Sequence, residues 1–102
     1  MNINKTQNGD KTTLALSGRL NSLTASQLQE TLLAEFDNVK NVEIDFTELD
    51  FISSAGLRVL ILGRETAKAK NRELTIVQVS QEIMEVFQMA GLTSMMNIKA
   101  SV

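Results

Sequence analysis

Two adjacent hydroxyls, Ser53 and Ser54, stand in the stretch Leu49-Asp50-Phe51-Ile52-Ser53-Ser54-Ala55-Gly56-Leu57, where an alternating apolar segment gives way to a helical one. A helix N-terminus presents N–H groups without intrahelical partners and a partial positive charge, so a phosphoryl group attached or bound there is stabilised. A serine in that place can carry phosphate without unfolding its helix. It can also simply cap. A serine oxygen accepting a backbone N–H, with Gly56 easing a crowded first turn, accounts for the same residue types. Both readings stand on these residues.

Other chemistry is harder to build from this chain. It has no His and no Cys, which removes imidazole and thiolate nucleophiles, the Ser-His-Asp relay, disulfides, and zinc sites made from those ligands. No Lys falls within the turn after Ser54 to act as its base, so an enzyme is not expected, nor any cofactor or metal. The 10 Lys and Arg nearly balance the 12 Asp and Glu, and a net charge of -2 offers no footprint for nucleic acid or an anionic membrane. The longest unbroken apolar run, Val59 to Leu62, is far too short to span a bilayer, and MNINKTQNGD lacks the basic start and apolar stretch of an export signal. Without Cys the chain fits a reducing compartment, so a cytoplasmic address is expected.

The serines must be positioned by the elements around them. At 102 residues, 43% apolar and 22% charged, with no Pro, no linker and no repeat, the chain reads as one folded, soluble domain over 1–102. Asn2 to Thr6 and Thr12 to Ser17 flank Asn8-Gly9-Asp10, which predicts a β-hairpin with a polar first strand at a sheet edge. Ala25, Leu28, Leu32 and Phe36 recur at helical spacing and predict a helix over 25–36, with Thr24 and Gln27 as a capping box. Val42, Ile44 and Phe46 alternate with Glu43 and Asp45, the period of a strand with one buried and one polar face. Ser54 to Lys70 reads as a second helix, apolar nearly all round over Leu57 to Leu62, so its first turns should be deeply buried. Leu74 to Val79 predicts a strand. Ser80 then caps a third helix with Ile83, Val86, Phe87 and Ala90 on one stripe, Gly91-Leu92 as its Schellman stop, and a last strand near 97–101. Met84, Met89, Met95 and Met96 either fill gaps in the core or form an adaptable surface.

The order β-β-α-β-α-β-α-β defines an α/β fold. A strand sandwiched by helices on both faces would be apolar throughout, so the alternation at 42–46 puts the helices mainly on one face. Right-handed crossovers that keep to one face add strands sequentially, giving a mostly parallel sheet after the N-terminal hairpin. Such a sheet has no switch-point crevice, which argues against a dinucleotide enzyme.

GRLNSLTA at Gly18 to Ala25, VEIDF at Val42 to Phe46, FISSAGL at Phe51 to Leu57 and MEVFQMAGL at Met84 to Leu92 together resemble a STAS domain of the anti-sigma factor antagonist type, over nearly the full chain. In that family the loop commonly reads Asp-Ser-Ser/Thr-Gly. By this resemblance Ser54 is the phosphorylated serine, with Ser53 as the competing acceptor. Ser53 stands where the family usually has Asp, Ala55 replaces the second hydroxyl residue, and Asn21 takes the usual Asp of the earlier Gly-x-Leu-Asp motif. Asp45 matches the family's strand acid, and is equally a solvated carboxylate on a strand face.

The resemblance implies partner switching. The unmodified protein binds an anti-sigma factor that is itself a serine kinase and so frees the sigma factor; phosphorylation blocks binding until a phosphoserine phosphatase reverses it. The implied partner surface is Asn21, Ser22, Leu23, Ser53, Ser54, Ala55 and Gly56. The expected state is a monomer or weak dimer, without nucleic acid or direct membrane contact. The same resemblance extends to STAS proteins that serve as constitutive subunits of lipid-transport ATPases, in which this surface would dock an ATPase subunit.

Overall fold

In the computed structural model, which describes residues 1–101, β1 (Asn2–Asn8) and β2 (Lys11–Leu20) form an antiparallel hairpin closed by Gly9-Asp10. The strands β3 (Asn41–Ile52), β4 (Glu73–Val79) and β5 (Asn97–Ala100) continue the sheet in parallel, in the order β1-β2-β3-β4-β5. The helices α1 (Ala25–Glu35), α2 (Ser54–Ala69) and α3 (Gln81–Met89) fill the three crossovers. This is the α/β class, strand order and polar edge hairpin that the sequence predicts.

One face of the sheet makes the core. Thr12, Leu14 and Leu16 of β2 and Val42, Ile44 and Phe46 of β3 are all buried. Thr12 meets Glu35 of α1, and Phe46 packs on Phe87 of α3 with ring centroids 6.0 Å apart. The helices therefore share that face. Thr13, Ala15, Glu43, Asp45 and Thr75 point the other way and are only half-buried, with a Lys11–Glu43 ion pair at 3.0 Å among them.

Two register shifts against β2 change the phase of β3. Ala15 pairs with Asp45 but Ser17 with Glu48, and Gly18 pairs with Leu49 but Arg19 with Phe51. Each shift is an extra residue in β3, a bulge that turns the side-chain alternation over. Burial accordingly moves from Val42, Ile44 and Phe46 to Leu49 and Ile52. Asp45 secures the first bulge, its Oδ1 accepting from the Thr47 amide at 2.8 Å and the Thr47 hydroxyl at 2.6 Å. What the sequence presented as a connecting stretch, Leu49 to Ile52, is strand, and the junction to α2 shrinks to Ser53.

The capping box at Thr24 and Gln27 does not form. Thr24 Oγ1 accepts from the Asn21 amide at 2.9 Å and donates to the Arg19 carbonyl at 2.8 Å, so it is turned away from the helix it was expected to cap. Gln27 reaches the Met1 carbonyl instead. The Schellman stop does form: Leu92 N–H donates to Phe87 O at 2.9 Å, Gly91 N–H to Gln88 O at 3.1 Å, and Gly91 has φ 73°, the left-handed conformation that motif requires.

Helix α2 is less deeply buried than its composition predicts. Gly56, Val59, Leu60, Gly63 and Ala67 face the core, while Leu57, Ile61 and Leu62 are half-exposed, because a one-sided sheet covers only one face of a helix. On α3 the buried residues are Ile83 and Phe87, and Ala90 is exposed at the cap. The methionines divide: Met96 is buried and Met84 packs against the core, whereas Met89 and Met95 are exposed. Among the described residues no helix is long and apolar enough to cross a membrane.

Candidate functional site

The two loops singled out from the sequence meet at the C-terminal ends of β2 and β3. Register places Leu20 beside Ile52, and the Ser53 amide donates to the Leu20 carbonyl at 2.9 Å. The predicted surface residues Asn21, Ser22, Leu23, Ser53, Ser54, Ala55 and Gly56 therefore lie on one end of the molecule. Ser22, Leu23 and Ser54 are exposed, Asn21, Ser53 and Ala55 half-buried, and Gly56 buried. Leu23, at 87% exposure, is an apolar side chain with nothing packed over it.

The serines have different local roles. Ser53 is the N-cap of α2, in extended backbone, and its side chain accepts from the Gly56 amide at 3.4 Å. Ser54 follows as the first helical residue and is exposed. Gly56 is needed for close approach, since a Cβ there would sit 2.7 Å from Leu20 Cγ and 2.9 Å from Ile52 Cγ1. The capping reading applies to Ser53 and Gly56, which build the helix start, and Ser54 is left facing outward.

Asn21 organises the neighbouring loop. Its Oδ1 accepts from the Leu23 amide at 3.0 Å and the Thr24 amide at 3.2 Å, a turn closed by a side chain. An aspartate would offer the same oxygen. In the same way, Ser53 provides the cap that an aspartate would provide. At both positions the local hydrogen bond survives and a negative charge is absent.

Two features of this surface escape sequence reading. The second bulge of β3 leaves Phe51 partly exposed, with the Arg19 guanidinium 4.2 Å from its ring centroid. Between α1 and α2, a groove of about 510 Å³ opens from Ser22 and Ala55 past Arg58 to Ile61 and Leu62. Helical spacing marks Ile61 and Leu62 as apolar, but only the packing shows which face of α2 stays open.

With this arrangement in view, comparison with known proteins identifies the class. Residues 3–97 match the family described as "Mlab, STAS domain", and the chain belongs to that STAS family. It is 36% identical over 87 residues to BtrV of Bordetella bronchiseptica, assigned as an anti-sigma factor antagonist, covering 84% of this chain and 75% of that one. The anti-sigma-B factor antagonist of Listeria monocytogenes is 28% identical over 105 residues, covering 97% of this chain and 90% of the relative. SpoIIAA, an anti-sigma factor antagonist and cell fate determinant of Bacillus, has the same fold in two solved forms. The unphosphorylated form superposes with TM-score 0.77 at 15% identity, covering 99% of this chain and 89% of that one. The phosphorylated form gives 0.75 at 18%, covering 95% and 90%.

Proposed function

We propose that this protein is an anti-sigma factor antagonist. Its unmodified Ser54 face binds an anti-sigma factor with serine kinase activity, and phosphorylation of Ser54 switches that binding off. The observation that carries this reading is the exposure of the Ser54 hydroxyl at the first position of α2, beside a Ser53 oxygen already committed to the Gly56 amide. The names of the Bordetella and Listeria relatives support the antagonist role, and the two forms of SpoIIAA support a fold that tolerates phosphate.

The switch is electrostatic. A phosphoryl group moves from the nucleotide held by the kinase to Ser54 Oγ, whose proton leaves to a base of the kinase; hydrolysis by a phosphatase restores the hydroxyl. The modification adds about -1.5 to -2 charges at pH 7 at one point of a nearly neutral protein. A hundredfold loss of affinity requires about 2.7 kcal/mol, within reach when an interface hydroxyl becomes a dianion among unmatched groups. The helix N-terminus stabilises the same dianion within the antagonist, so the fold need not change.

Binding of the purified anti-sigma factor, with and without phosphate on the antagonist, tests the reading. Ser54→Ala should bind the partner and incorporate no phosphate, and Ser54→Glu should bind more weakly. Phosphate found by mass spectrometry on Ser53 alone would overturn the assignment. An ATPase subunit captured equally by both forms would replace the switch with a constitutive docking role.

A further inference from the structure

Three cationic residues line a cavity at the other end of α2 from Ser54. The cavity holds about 260 Å³, and its wall includes Arg64, Lys68, Arg72, Leu74, Met95 and Asn97 but no carboxylate. Lys68 lies 14 residues beyond Ser54, about 21 Å along the helix, so this site is separate from the phosphorylation face.

The local fold brings the charges together. Arg64 and Lys68 are one helical turn apart on one face of α2. The helix then ends on Asn71 with φ 59°, Asn71 N–H donating to Lys68 O at 3.2 Å and Arg72 N–H to Ala67 O at 2.7 Å. That left-handed turn folds Arg72 back against the helix end. Arg64 Nε donates to the Met95 carbonyl and Arg72 Nε to the Phe36 carbonyl. Each anchor uses one N–H and fixes the guanidinium plane, leaving its terminal NH2 donors for something else.

Among the described residues no carboxylate forms an ion pair with these three side chains; the ion pairs there are Lys5–Glu35, Lys11–Glu43 and Lys70–Asp37. The negative end of α2 accounts for a cation at Lys68 or Arg72, but Arg64 lies before the last turn. A concave wall of one sign focuses its field and concentrates counter-ions.

We propose that this cavity binds a small phosphate monoester. Arg64 and Arg72 offer guanidinium donors suited to phosphate oxygens, Lys68 adds a point charge, and Leu74 and Met95 receive the organic part of the ester. The size suits a small body: the volume falls just under the roughly 300–1,000 Å³ of drug-sized pockets.

The test is an NMR titration of the full chain at constant ionic strength with phenyl phosphate, inorganic phosphate and acetate. Saturable shifts centred on Arg64, Lys68, Arg72 and Asn97 are expected, tightest for phenyl phosphate and absent for acetate. Lys68→Glu changes an exposed side chain that makes no ion pair among the described residues, and should weaken phenyl phosphate binding at least about tenfold while the rest of the spectrum is unchanged. Equal affinity of Lys68→Glu and the parent, no preference for phenyl phosphate, or shifts confined to the first turn of α2 would each overturn the proposal.

Discussion

The Ser53 amide donates to the Leu20 carbonyl at 2.9 Å, joining the chain one residue before α2 to the last residue of β2. This bond holds the Asn21–Thr24 loop and the first turn of α2 as one surface. Asn21 Oδ1 fixes the loop side by accepting two amides. Asn21→Ala should therefore cost about 1 kcal/mol of stability, and Asn21→Asp, which keeps the acceptor, close to none. Urea unfolding of the two variants checks this; equal loss in both would remove the side-chain oxygen from the account.

The adjacent serines should separate in a stability measurement alone. Ser53→Ala deletes the cap of α2 and should cost about 0.5–1 kcal/mol, the lower part of the range for N-caps because the bond to the Gly56 amide is long at 3.4 Å. Ser54→Ala, at an exposed first position, should stay within about 0.5 kcal/mol of the parent. Phosphate on Ser54 should raise stability by about 0.3–1 kcal/mol, as negative charge at a helix N-terminus does. Lower melting of the phosphorylated form would mean that the dianion strains the fold.

What was legible in the sequence depended on how far apart the cooperating residues lie. The Ser53–Gly56 turn, the Ser80 cap and the Gly91-Leu92 stop are each written in four or five consecutive residues, and each formed as read. The strand Val42 to Phe46 showed its period, but Thr47 to Phe51 did not, because two bulges against β2 break the alternation and only the pairing reveals them. The Arg19–Phe51 stacking follows from those bulges, so no local pattern announced it. Thr24 misled the capping assignment because Asn21 and Arg19, just before it, offered its hydroxyl better partners.

Gly56 tests whether the geometry of the helix start is tight. A methyl group at this position would press on the buried side chains of Leu20 and Ile52, at 2.7 and 2.9 Å. Both belong to the strand ends that carry the site, so they cannot yield without moving it. Gly56→Ala should cost about 1–3 kcal/mol, the usual range for overpacking a core. The melting temperature should fall about 4–8 °C per kcal/mol for a domain of this size. An unchanged melting temperature would show that α2 lifts off the sheet freely.

Glu35 gives the fold a pH dependence of known sign. It ends α1, lies on the same stripe as Leu28 and Leu32, and is buried where the helix dipole disfavours an acid. Burial pushes its pKa up. The Lys5 ammonium at 2.8 Å from Oε2 and the Thr12 hydroxyl at 2.7 Å from Oε1 more than offset this and hold the carboxyl below the ordinary carboxylate value. A group with a lowered folded pKa contributes stability that is fully present above its unfolded pKa, about 4.3 for Glu, and is lost as pH falls through the folded value. The parent should therefore lose stability on acidification below about pH 5 more steeply than Glu35→Gln, which keeps the shape without the titration. Lys5→Met should move the Glu35 pKa upward, because burial then acts with only the Thr12 hydroxyl against it. Urea midpoints for the three proteins between pH 3 and 7 decide the matter: parallel curves for the parent and Glu35→Gln would show that the bonds to Lys5 and Thr12 do not favour the charged form.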